Sequence, residues 1–138
     1  MPMLFLSLAV LLTFRPACQQ ADDIEVRGGM ARDSLVAGER TEIRFTIVPP
    51  AGIHVPDFPL PEFRPDSSCP AAIEGDPILD RQSGGGAVVI RQTVIIDKGA
   101  AAGRQALRGI LVYYYCSDAE GWCRRAKKGM MFPMTVTR

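Results

Sequence analysis

Cys116 and Cys123 are the residues whose type and spacing most directly suggest chemistry. They bracket six residues in YYYCSDAEGWC, residues 113–123. Ser117, Asp118 and Gly121 suit a tight loop, and if it folds back the two sulfurs can come within bonding distance. A disulfide needs Cα atoms roughly 4.4–6.8 Å apart, and this spacing permits the bond without requiring it. Three chemistries stay open: a structural staple, half of a metal site, or a reversible dithiol. As a staple, so short a loop is worth only about 2.5 kcal/mol on the chain-entropy model. As a dithiol, the pair has lopsided surroundings. Arg124, Arg125, Lys127 and Lys128 follow Cys123, whereas Asp118 and Glu120 follow Cys116. Cations favour a thiolate and anions oppose it, so Cys123 is the expected attacking sulfur and Cys116 the resolving one. The plainer reading of the basic run is a solvated turn.

Two further cysteines and one histidine complete the inventory. Cys69 lies in SSCP. It reads as a small buried hydrophobe, a free thiol, an intermolecular bridge, a partner for Cys18, or a third sulfur close enough to exchange with the pair. His54 stands alone. A blue-copper site needs two imidazoles, and a single histidine excludes it. A thiolate site for Cu(I) or zinc built from Cys69, Cys116, Cys123 and His54 matches no known ligand spacing. His54 between Ile53 and Val55 reads more readily as a packed or turn residue than as a ligand. There is no nucleophile elbow, and SGGGA lacks the lysine and serine of a phosphate loop. Thiol chemistry requires no cofactor.

The elements that must position the pair are strands. Ile43, Phe45 and Ile47 alternate with Glu42, Arg44 and Thr46, the period of a half-buried strand, and residues 22–50 read as two strands ended by Pro49 and Pro50. Residues 49–65 hold six prolines, which suits extended edges and turns and opposes a helix. DSSCP is a turn, and residues 71–82 hold one or two short strands before a glycine loop tip at 84–86. AVVIRQTVIID, residues 87–97, is β-branched and apolar on both faces, so it is expected at the centre of a sheet. In QALRGILVYYYC, Ile110, Val112, Tyr114 and Cys116 share one face, and Leu111, Tyr113 and Tyr115 the other. This strand is expected to pair with the strand near residue 90 across the connection at 98–104. In the closing strand Met130, Phe132, Met134 and Val136 face one way. About seven short strands and no helix of ten residues mean an all-β chain, an immunoglobulin-like β-sandwich. Tyr113, Tyr114 and Tyr115 suit ordinary sheet packing. The functional alternative sets Tyr113 and Tyr115 beside the sulfurs, with Trp122 as a rim contact for a partner.

Size and composition agree with one domain of 138 residues, 47% hydrophobic and 22% charged. A net charge of +1 argues against a nucleic-acid binder. Leu4 to Phe14 is an apolar run of 11, too short for a bilayer and right for the core of a secretory signal. Residues 1–21 are therefore expected to be a signal peptide, and residues 22–138 the domain. Cys18 is a candidate lipidated cysteine, although Arg15 stands where an apolar residue is usual. Export implies a periplasmic or other extracytoplasmic location, lipid-anchored if Cys18 is acylated, where cysteines are usually paired.

GILVYYYCSDAEGWC resembles the C-terminal part of the N-terminal periplasmic domain family of the thiol:disulfide interchange protein DsbD. Tyr113, Cys116, Ser117, Asp118, Gly121 and Cys123 match in order, MMFPMTV matches the closing strand, and TEIRFTIVPPAGIHV is similar to an early strand followed by "G-x-H/Y". The resemblance covers roughly residues 35–137. It implies an immunoglobulin-like sandwich and thiol–disulfide exchange, with Cys116 and Cys123 as the redox pair. The implied partners are thioredoxin-like or other periplasmic oxidoreductases and a membrane electron conduit on a separate chain. The family's loop is usually a residue shorter, and aromatic and proline residues tend to follow its second cysteine. The nearest counterpart of its aromatic cap loop, GDPILDRQSGGG, has no aromatic. The competing reading is a non-catalytic secreted binding domain with a structural disulfide.

Overall fold

Alternation and proline placement set the strand map. The computed structural model describes residues 24–138, so the expected signal peptide and Cys18 lie outside the described residues. Nine strands follow in chain order: β1 (Glu25–Met30), β2 (Ser34–Val36), β3 (Arg40–Val48), β4 (Ile53–His54), β5 (Glu62–Pro65), β6 (Ala71–Arg81), β7 (Val88–Ile96), β8 (Gly103–Ser117) and β9 (Cys123–Thr137). One sheet has the order β1-β3-β7-β6. The other has the order β2-β9-β8-β4, with β5 also paired to β8. All pairs are antiparallel except β2 with β9. The chain is an all-β sandwich, as expected, though with nine strands rather than about seven. Two of them, β8 and β9, run to 15 residues each.

The core forms where the alternating apolar positions of the two sheets meet. Ile43, Phe45 and Ile47 of β3 and Val88, Ile90, Val94 and Ile96 of β7 face Leu107, Leu111, Tyr113 and Tyr115 of β8 and Phe132, Met134 and Val136 of β9. Phe45, Phe63 and Phe132 bridge the sheets as a three-ring cluster with centroids 5.4, 5.6 and 6.0 Å apart. Such contacts are worth about 0.5–1.5 kcal/mol per pair beyond the area they bury. Gln92 is the polar exception inside β7. Its Nε2 donates to the Gly75 carbonyl at 3.1 Å, which the irregularity between Glu74 and Ile78 of β6 leaves available. A buried amide is tolerable because it is bonded.

Three expectations need correction. First, β7 and β8 do not pair. β7 has both edges occupied, by β3 and β6, so the connection after Ile96 crosses to the other sheet, where β8 pairs with β9, β4 and β5. Second, residues 22–50 hold three strands, since Ser34–Val36 adds parallel to the end of β9. Third, the basic run after Cys123 is strand and not turn. β9 starts at Cys123 because the long β8 offers a ladder partner to every residue from Arg124 to Lys128. The proline-rich segment behaves as its composition predicts. It contributes only β4 and β5, two short pieces laid against the same edge of β8.

Candidate functional site

The β8–β9 hairpin brings Cys116 and Cys123 together as the last pair of its ladder. The turn that closes it is built from its own sequence. The Ser117 amide donates to the Trp122 carbonyl at 2.9 Å, and the Gly121 amide donates to the Ser117 carbonyl at 3.0 Å. The Glu120 amide donates to Ser117 Oγ at 3.2 Å. Gly121 has a φ of 71°, a left-handed conformation that glycine adopts without steric cost. Because Ser117 and Trp122 are hydrogen-bonded opposite each other, Cys116 and Cys123 form the adjacent non-bonded pair, the kind in which strands approach most closely. Their Cα atoms are 4.0 Å apart and their sulfurs are joined in a disulfide.

The two sulfurs differ in their surroundings. Cys116 is 5% exposed, whereas Cys123 belongs to the exposed rim. On the same outer face, two and four residues along β9, stand Arg125 and Lys127, as strand alternation requires. Arg124 lies on the opposite face, stacked over the Trp122 ring at 4.3 Å. The two acids of the turn are engaged elsewhere. The Glu120 carboxylate accepts from Trp122 Nε1 at 2.5 Å, and the Asp118 carboxylate is bonded to His54 Nδ1.

His54 is the residue that sequence reasoning undervalued. In the β4–β8 ladder it lies directly opposite Cys116, and the ladder continues as the Asp118 amide donates to the Gly52 carbonyl at 2.9 Å. Residues directly opposite share a face, with Cβ atoms about 4.5–5.5 Å apart. His54, Cys116 and Cys123 therefore form a row across β4, β8 and β9 on the outer face, with Asp118 beside the imidazole. Asp118 is two residues from Cys116 and so on its face, a relation readable from alternation. The register of His54, 62 positions away in the chain, depends on the pairing of a two-residue strand and has no local signal.

The tyrosines divide by alternation, and this revises their expected roles. Tyr113 and Tyr115 point into the core, 3% and 4% exposed, so neither offers a surface to a partner. They pack at 6.4 Å, and Tyr115 meets Trp122 edge to face at 5.8 Å. Burial pushes the Tyr113 phenol above its ordinary range. The tyrosine on the disulfide's face is Tyr114, paired with Arg125. Trp122 is half-buried on the other side of the hairpin, lining a cavity of about 390 Å³ with Ile24, Ile53 and Tyr115.

Cys69 is not a third member of the site. It is a free, half-buried thiol in the turn after β5, near Arg108, and burial raises its pKa. Arg108 is eight positions from Cys116 along β8, about 26 Å at roughly 3.3 Å per residue. Direct exchange with the pair within one molecule is thereby excluded, and pairing with Cys18 concerns a residue outside those described. The counterpart of an aromatic cap, residues 75–86, belongs to β6 and the β6–β7 turn, at the edge of the opposite sheet. Among the described residues, no group of three or more His, Cys, Asp and Glu side chains is placed to hold a metal. No protein-family model matches the chain, and no curated protein matches it.

Proposed function

We propose that this domain is an extracytoplasmic thiol–disulfide exchange module working through the Cys116–Cys123 pair. The observation that carries the reading is the asymmetry of the bond: one sulfur at an exposed strand end, the other buried beside it. Only one sulfur of such a bond is open to a visiting thiolate, which directs attack to one atom and fixes the leaving group. Arg125 and Lys127 on the face of Cys123 favour its thiolate once the bond is open. The resemblance of residues 109–123 to the N-terminal domains of DsbD points the same way. The partners are thioredoxin-like or other periplasmic oxidoreductases, together with a membrane electron conduit.

In the forward step the Cys123 thiolate attacks a partner disulfide and forms a mixed disulfide, releasing one partner thiolate. Cys116 then attacks Cys123 Sγ, restores the intramolecular bond and releases the second partner thiolate. Two electrons pass from the domain to the partner, and the reverse sequence reduces the domain. Trapping tests this. With Cys116→Ser in the native host, the account expects a covalent adduct at Cys123 that reductant releases, with a thiol oxidoreductase attached. Recovery of monomer alone would favour a secreted binding domain with a structural disulfide.

A further inference from the structure

We propose that His54, oriented by Asp118, is the proton relay for the Cys116 sulfur, delivering a proton when the disulfide opens and removing it when the bond re-forms. The inference rests on the exchange reading above and adds a residue to it. Three observations carry it. His54 stands opposite Cys116 in the β4–β8 ladder, on the face that bears the disulfide. Its Nδ1 is engaged by the Asp118 carboxylate, which leaves Nε2 as the nitrogen for proton transfer. And Cys116, being buried, is the sulfur that cannot shed charge into water, so its thiolate most needs a proton source close by.

The step balances without another reactant. An incoming thiolate attacks Cys123 Sγ and forms a new S–S bond. The Cys116–Cys123 bond breaks, and its electron pair goes to Cys116 Sγ. The imidazolium Nε2 proton then passes to that sulfur and leaves a neutral imidazole. In the reverse direction the neutral imidazole takes the Cys116 proton, and the resulting thiolate attacks the mixed disulfide at Cys123. Asp118 is a positioning residue here. It holds the imidazole by Nδ1, as a carboxylate does for histidine in other proton relays. The charged and titratable groups on the neighbouring ladder positions come from three elements. Cys116 and Tyr114 lie on β8, Cys123 and Arg125 lie on β9, and Asp118 lies in the turn between them. Asp57, in the segment after β4, is held by Arg81 of β6. Of these, Asp118 is the group bonded to the imidazole.

The test is the rate at which glutathione opens the disulfide of the purified full chain, followed across the histidine pH range. It compares the wild type with His54→Gln and Asp118→Asn. The rate is expressed per glutathione thiolate, so that titration of the reagent is removed. The wild type is expected to open fastest where the imidazole is protonated and to slow as it loses its proton. His54→Gln is expected to lose about tenfold or more at the acid end and to show a flat profile, given that positioned acid–base groups contribute 10²–10⁴-fold. Asp118→Asn is expected to shrink the acceleration at the acid end, because the ring is no longer held in place. A His54→Gln profile that overlays the wild type would overturn the relay while leaving exchange intact. A wild-type disulfide that glutathione does not open at any pH would overturn the exchange reading itself. Nuclear magnetic resonance supplies a readout that needs no substitution. The relay requires the His54 titration of the wild type to shift between oxidised and reduced protein, and an unchanged curve contradicts it.

Discussion

The middle of β8 and its C-terminal end are built on opposite principles. At Gly109 the strand is packed shut. A Cβ there would lie 2.3 Å from the Arg64 carbonyl oxygen and 2.6 Å from the Phe63 ring, so glycine is what lets β5 close onto β8. The thiol beside that stretch, Cys69 in the turn after β5, has its ionisation disfavoured by burial. At Cys116 the same strand ends in a polar turn, and a disulfide, an imidazole and a carboxylate gather on the outer face. The middle contributes packing, and the thiol beside it is half-buried. The C-terminal end gives up a continuous apolar cover and leaves one sulfur, Cys123, exposed.

The comparison breaks most forcefully at the packed middle of β8. Phe63→Ala removes a ring from the Phe45–Phe63–Phe132 cluster and is expected to cost about 3–5 kcal/mol in denaturant unfolding. Gly109→Ala is expected to cost about 1–3 kcal/mol through overpacking against β5. Neither should change how fast glutathione opens the disulfide under conditions where the variant is folded. Equal losses of stability and exchange would mean that the two regions are not separate. At the open end, reducing the disulfide is expected to lower unfolding free energy by no more than about 2.5 kcal/mol, because the loop it closes is short. A larger loss would recast the bond as a staple.

The two thiol environments separate further by reactivity and pH. In the reduced protein at mildly acidic pH, Cys123 is expected to take alkylating reagent first, with Cys116 and Cys69 following. Mass-spectrometric mapping that found Cys116 labelled ahead of Cys123 would contradict the assignment of roles. The smallest effect is at Cys69. Burial raises its folded pKa above the ordinary thiol value of 9.0. The stabilisation from its neutral form is therefore complete below that pH and is lost as pH rises through the folded value. Wild-type stability should fall more steeply across the alkaline range than that of Cys69→Ala, as read from urea midpoints. Parallel curves would place the Cys69 thiol in water.

Much of this contrast was legible in the residues. Period-two alternation assigned the inward faces of β3, β8 and β9, and the β-branched run at 87–97 announced a central strand, because local pattern and burial agree there. The turn residues between Cys116 and Cys123 allowed the sulfurs to meet, and the ladder register of β8 and β9 is what joins them. What failed was information carried by pairing. Which sheet β8 joins depends on edges already occupied by strands distant in the chain. The basic residues at 124–128 lack the apolar alternation of a strand, yet β8 holds them in one. Alternation turns Tyr113 and Tyr115 away from the face of Cys116, and their burial favours sheet packing over partner contact. His54 was undervalued because its neighbour across the ladder is 62 positions away.

The reduction potential of the Cys116–Cys123 pair tests the central claim most directly, by equilibrating the protein with glutathione buffers and quantifying the oxidised fraction. A couple that exchanges with periplasmic oxidoreductases is predicted to fall between about −120 and −270 mV, the span of the working thiol–disulfide proteins. A value below about −300 mV, the range of structural disulfides in secreted proteins, would contradict it.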